Sequence, residues 1–321
     1  SFMKKFTFVA VTILLCFLSN SHSFGGIEIS DSLCQDSTSI KSDSLKSSWK
    51  TEYDLGNGTK LVYDKPGLLD FGLKVPRDMW GFCKYSVKGQ SWPYLAIIAF
   101  TSGVLIENDQ NITNETQRFC DDIHLVRNSS YKDVFAPKLN GQKVSIISIP
   151  QNINTVFYTL GQGYPALLLG GGLLYYGARH HDMRAVSTAS QLTEAFIAMG
   201  IATQVVKRIT GRETPIRSTQ DGGKWQPFPS FNDYQKNTPV YDAFPSGHLA
   251  TVICAVTILA ENYPEKKWIK PIGYALASMV AFSMVNNGVH WAGDYPLAIG
   301  IGYGFGKVVS ARCKKVVHTH H

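Results

Sequence analysis

The chain has 321 residues, 44% of them apolar, a formal charge of +7 and a mean hydropathy of −0.05. That length holds one large domain or two small ones, and the near-zero hydropathy fits a globular protein better than a polytopic membrane protein. The basic balance suits phosphate-bearing substrates, anionic lipid or nucleic acid, and equally plain solubility, so charge alone selects no partner.

In chain order, Lys4-Lys5, the apolar stretch 6–18 and the small polar stretch 19–23 read as an export signal over residues 1–23. The apolar stretch is short for a membrane span. Export permits disulfides. Of Cys34, Cys83, Cys120, Cys254 and Cys313, the first three are expected to pair among themselves, although the number is odd and no connectivity is readable. Cys254 reads as core, and no cysteine–histidine spacing resembles a zinc site. Residues 24–150 read as a loop-rich region of unassigned structure and role. Within it, 92–106 is a short apolar helix stopped by Glu107-Asn108-Asp109, and 143–149 is the one plausible strand.

Beyond residue 150 the pattern is helical: 154–177, 184–208, 249–260, 268–289 and 296–311, followed by a tail over 313–321. Only 154–177 and 268–285 approach the ~20 apolar residues of a span. Gln191, Glu194 and Gln204 on the 184–208 helix are costly in lipid. An all-α bundle follows, soluble or lying against a membrane surface.

Three segments carry chemistry. Pro245-Ser246-Gly247-His248 opens the 249–260 helix, whose free N–H groups form an anion site; Ser246 adds a hydroxyl and His248 a general acid. The local alternative is an N-cap beside an incidental histidine. His290 and Asp294 stand four residues apart, one helical face, so Asp294 is expected to accept Nδ1–H of His290 and leave Nε2 as a nucleophile. Its local alternative is a hydrogen bond that stabilises a helix start. Lys207, Arg208, Arg212 and Arg217 supply fixed cations, or a solvated basic turn.

Taken together these residues resemble the type 2 phosphatidic acid phosphatase (PAP2) superfamily, whose pattern is Lys-x6-Arg-Pro, Pro-Ser-Gly-His and Ser-Arg-x5-His-x3-Asp. The resemblance covers about 155–310; the first 150 residues carry none. It implies a helical bundle, with a phosphatase domain over 151–312 and the site at helix ends. It also implies that Lys207, Ser246 and Gly247 bind phosphate, His248 is the acid, His290 the nucleophile and Asp294 its orienter. Two motif arginines are replaced, by Thr214 and by Met284, and Arg212 or Arg217 is a candidate to fill the first vacancy. The implied activity is that of an exported, periplasmic or membrane-associated phosphatase. It needs neither metal nor cofactor and acts on a phosphorylated lipid or small phosphate ester through a phosphohistidine. Nucleic acid is not among the expected partners. Phosphate transfer to another acceptor and a binding role without turnover are the alternatives.

Overall fold

The computed structural model describes residues 49–56, 58–67, 69–139, 142–143 and 147–318. The export signal and Cys34 lie outside the described residues. Strands β1 (Glu52–Gly56) and β2 (Thr59–Tyr63) come first, then α1 (Asp70–Leu73), α2 (Val75–Val87) and α3 (Trp92–Asp122). Short strands β3 (Tyr131–Phe135), β4 (Lys138–Leu139), β5 (Gln142–Lys143) and β6 (Ile147–Pro150) follow. The remainder is helical: α4 (Ile153–Leu160), α5 (Gly163–His180), α6 (Met183–Thr210), α7 (Phe231–Lys236), α8 (Gly247–Asn262), α9 (Ile269–Asn286) and α10 (Tyr295–Ser310), closed by β7 (Lys314–His318). The all-α expectation holds, with one three-stranded sheet and two small strand pairs added to the helices among the described residues.

The helix ends follow from side-chain chemistry. Asp182 caps α6 by accepting from the Ala185 amide, and Gly211 stops it in the left-handed conformation at φ +55°. A Cβ at residue 211 would stand 1.9 Å from the Gln226 carbonyl oxygen, so both space and φ require glycine there. Ser246 caps α8 through the Leu249 amide.

α8 is buried nearly all round, between α6, α9 and α10. Leu249, Ala250, Ile253, Cys254 and Ile258 meet Leu192, Ala195 and Met199 of α6, Ala277, Ala281 and Val285 of α9, and Ala298, Ile301 and Phe305 of α10. The approach of α10 to α8 is backbone-close, since a Cβ at Gly302 would lie 2.4 Å from the Ala250 carbonyl oxygen. α2 joins the same core through Val75, and Phe82 stacks on Phe305 at 4.2 Å.

Four expectations are corrected. The 92–106 helix does not stop at Glu107-Asn108-Asp109 but runs on to Asp122, because Asp109 is fully buried against protein partners and nothing in the triplet breaks a helix. The 154–177 helix divides at Gly161-Gln162, where Pro165 in the first turn of α5 clashes with any continuation from α4. Cys83 and Cys120 are both free thiols, exposed and buried respectively. Residues 314–318, read as tail, form β7, which pairs antiparallel with β2 with Leu61 opposite Val316. The strand expected over 143–149 is represented by β5 and β6.

The β1–β2–β7 sheet closes the bundle at the start of α6. There the Arg184 guanidinium lies between the rings of Tyr53 and Tyr263, 4.3 Å from each. That end is about 36 Å from Lys207 along α6, at 1.5 Å per residue. No helix among the described residues is long and apolar enough to cross a membrane. Exposed apolar side chains nevertheless form a stripe on α9, with Ile272, Leu276, Met279 and Phe282, and cover much of α5, including Leu167, Leu168, Leu174 and Tyr175.

Candidate functional site

Three chain segments meet at one end of the bundle. The last turn of α6 brings Lys207, and the N-terminus of α8 brings Ser246, Gly247 and His248. The α9–α10 connection brings His290 and, through a 3-10 turn (Ala292–Asp294), Asp294. The backbone joins them, since the Ser246 amide donates to the Asp294 carbonyl at 3.2 Å.

The two imidazoles face one another, His248 Nδ1 standing 3.4 Å from His290 Nε2 with the rings 69° apart. His290 Nδ1 lies 2.8 Å from the Ala243 carbonyl oxygen. A carbonyl only accepts, so Nδ1 carries the proton and Nε2 keeps its lone pair. The Nδ1–H hydrogen bond expected for Asp294 therefore goes to Ala243. The Asp294 carboxylate stands 3.4 Å from Nδ1 and acts there by charge, while its oxygens accept from the Trp291 amide at 2.8 Å and from Arg212 at 2.7 Å.

Lys207 is buried, its Nζ 2.8 Å from Asp242 Oδ2 and 3.8 Å from where a Cβ on Gly247 would stand. The ammonium thus sits over the first turn of α8, beside the N–H groups that face an anion. Asp242 is held in turn by the Tyr234 hydroxyl. Burial, then the neighbouring His290 and Lys207, hold His248 well below the ordinary histidine range. His248 is therefore neutral at pH 7. Tyr158 packs on it, ring centroids 5.4 Å apart, and Met284 backs it: a Cβ on Gly161 would meet Met284 Cε at 2.9 Å and His248 Cβ at 3.1 Å.

The two auxiliary arginines go elsewhere. Arg212 is fully buried, with Nη1 on Asp294 and Nη2 on Asp109, each at 2.7 Å, and with Nε and Nη2 donating to the Gly222 carbonyl. Its donors point inward, so it supports Asp294 and does not fill the position of Thr214. Arg217 is exposed on the 3-10 turn Pro215–Arg217, and among the described residues no hydrogen bond or ion pair joins its side chain to the cluster. Thr214 is buried with an Oγ1 that has no hydrogen-bond partner.

Four supports escaped the sequence: Asp242, Asp109, the Ala243 carbonyl and Tyr158. A buried lysine demands a counter-ion, but spacing in the sequence says neither that Lys207 is buried nor which carboxylate meets it. Asp109 gave no signal beyond its place in a polar triplet.

The family model of the PAP2 superfamily matches residues 188–316. A lipid A 1-phosphatase of Porphyromonas gingivalis is 30% identical over 74 residues, covering 23% of this chain and 17% of that protein, so the match spans about a sixth of the relative. A transmembrane PAP2-type phosphatidylglycerolphosphate phosphatase from Bacillus subtilis, known from a crystal structure, aligns with a TM-score of 0.39 at 15% identity, over 75% of this chain and 94% of that one.

Proposed function

With residues 188–316 belonging to the PAP2 superfamily, we propose that the protein is an exported phosphatase that hydrolyses the phosphate monoester of a lipid, or a small phosphate ester. The observation that carries the reading is the fixed tautomer of His290, with a free Nε2 3.4 Å from His248 and the Lys207 ammonium over the α8 N-terminus.

In the first step His290 Nε2 attacks phosphorus, the bond to the leaving oxygen breaks, and that oxygen takes a proton from His248. In the second step His248 deprotonates water, which attacks the phosphohistidine; the N–P bond breaks and phosphate leaves. Lys207 and the α8 amides carry the equatorial oxygens, so the scheme requires no metal. Because His248 rests neutral, its proton must arrive with the substrate. A phosphate monoanion carries one below its second pKa of about 6. Turnover is therefore expected to favour mildly acid pH. The lipid assignment draws support from the lipid A 1-phosphatase relative and from the exposed apolar faces of α5 and α9, which suit contact with a membrane surface.

The test is phosphate release from p-nitrophenyl phosphate and from a short-chain phosphatidic acid, with chelator present, in the native protein and in His290→Ala. Chelator-resistant release that the substitution abolishes is expected. Release that survives the substitution, or that the chelator stops, overturns the mechanism. Replacement of both motif arginines favours a second reading, binding without turnover; it predicts phosphate binding by the native protein with no release from either compound.

A further inference from the structure

Asp109 lies on α3, outside the matched region and outside every motif, yet it is bonded into the site. Its Oδ2 accepts from Arg212 Nη2 at 2.7 Å and its Oδ1 from the Gly293 amide at 2.8 Å. Gly293 belongs to the turn that sets Asp294, and a Cβ there would meet Asp109 Oδ2 at 2.7 Å and Ile106 Cγ1 at 2.6 Å. Asp109, Arg212 and Asp294 are all fully buried. The triad holds two carboxylates and one guanidinium; burial, opposed by Arg212 and reinforced by the neighbouring Asp294, pushes the Asp109 carboxyl up to about 6, so above that pH the triad carries one uncompensated negative charge away from water.

Such an imbalance is costly at rest. It is relieved when the adjacent His290 gains positive charge. Were Asp109 neutral, Arg212 would offset more of the charge of Asp294, and its pull on a cationic imidazole 3.4 Å away would weaken. Resting on the phosphatase reading above, we propose that Asp109 is a positioning residue for the reaction: it occupies one fork of Arg212 and fixes the Gly293 turn, so that Asp294 keeps its negative charge for the phosphohistidine forming at His290.

The experiment uses the full chain with Asp109→Asn and Asp109→Glu. The first readout is the His290 imidazole pKa by nitrogen-15 NMR, with no substrate present. The second is kcat and KM on the better of the two phosphate esters across pH. Asp109→Asn is expected to lower the His290 pKa and to reduce kcat roughly 10- to 100-fold, the equivalent of one charge-assisted hydrogen bond, with KM changed by less than about threefold. Asp109→Glu is expected to restore part of kcat. An unchanged His290 pKa in folded Asp109→Asn overturns the proposal, as does a loss of kcat that Asp109→Glu does not mitigate. If neither variant folds by circular dichroism, Asp109 serves stability alone and the proposal falls. Failure of the phosphatase reading itself appears differently, as absence of turnover in the native protein, and the NMR readout still decides the role of Asp109.

Discussion

Asp242→Asn separates two effects that usually move together. Asp242 is the counter-ion of Lys207 at 2.8 Å, with the ammonium 5% and the carboxylate 26% exposed. At that distance and an effective dielectric of 20 the gross attraction is about 6 kcal/mol; removing one partner of a buried pair costs about 3–5 kcal/mol, and the partial exposure of Asp242 puts this pair at the low end. Removing the charge leaves a buried lysine unpaired, so the unliganded protein loses stability by about that amount. A bound phosphate supplies the missing counter-ion, so part of the loss is recovered on binding. If about 1.4 kcal/mol is recovered, inorganic phosphate binds roughly tenfold tighter to the variant than to the native protein. The assays are thermal unfolding without phosphate and calorimetric titration with it at pH 7, with Lys207→Met as the reference that loses affinity. A lower melting temperature with tighter phosphate binding is expected. Weaker binding, parallel to Lys207→Met, would show that Asp242 holds the ammonium in place for phosphate and would refute the counter-ion argument.

Two further outcomes follow from buried groups away from the reacting atoms. Burial, with the adjacent Asp78 adding to it, pushes the Glu194 carboxyl up to about 9, against the opposing pull of Arg312. Its folded pKa is raised, so the folded state holds the proton more tightly. Stability from this group is full below pH 4.5 and is lost as pH rises towards 9. Glu194→Gln, which mimics the protonated acid, is expected to flatten that part of the melting-temperature profile; an unaltered slope refutes the assignment. Thr214→Val is nearly isosteric and removes a buried hydroxyl with no partner, so stability should stay level or rise, by about 0–1 kcal/mol. A loss above about 1 kcal/mol in chemical denaturation would mean that the hydroxyl is bonded after all.

Four of the helices beyond residue 150 were legible because their apolar pattern is continuous, and Asp182, Gly211 and Ser246 set ends locally; the same continuity hid the break at Gly161-Gln162, and the short polar α7 carries no such pattern. The His248–His290 pairing was legible for a different reason: an ordered set of motifs implies that its members converge. What stayed hidden depended on contacts that sequence spacing does not encode. Nothing near Glu107-Asn108-Asp109 announces that Asp109 will be buried 103 positions away from the arginine it binds, so a polar triplet read as a helix stop became the middle of α3. The sheet shows the same limit, because β7 takes its partner from β2 at the other end of the described chain. The orienting hydrogen bond of His290 was misassigned because a backbone carbonyl, Ala243, leaves no mark in side-chain patterns.

Arg212 shows what the replaced arginines change. It sits two positions before Thr214, near enough to look like a shifted phosphate clamp, but its donors are committed to Asp109, Asp294 and the Gly222 carbonyl. At the other vacancy, Met284 is fully buried behind His248, where an arginine would need a bound anion to offset its own desolvation. On the phosphatase reading the chain has thus given up charge that grips phosphate in the ground state and kept charge that acts on His290 as the phosphohistidine forms. Ground-state grip sets KM, whereas an interaction made only in the transition state sets kcat. The expected enzyme therefore binds free phosphate weakly. On that reading it relies for affinity on the remainder of its substrate.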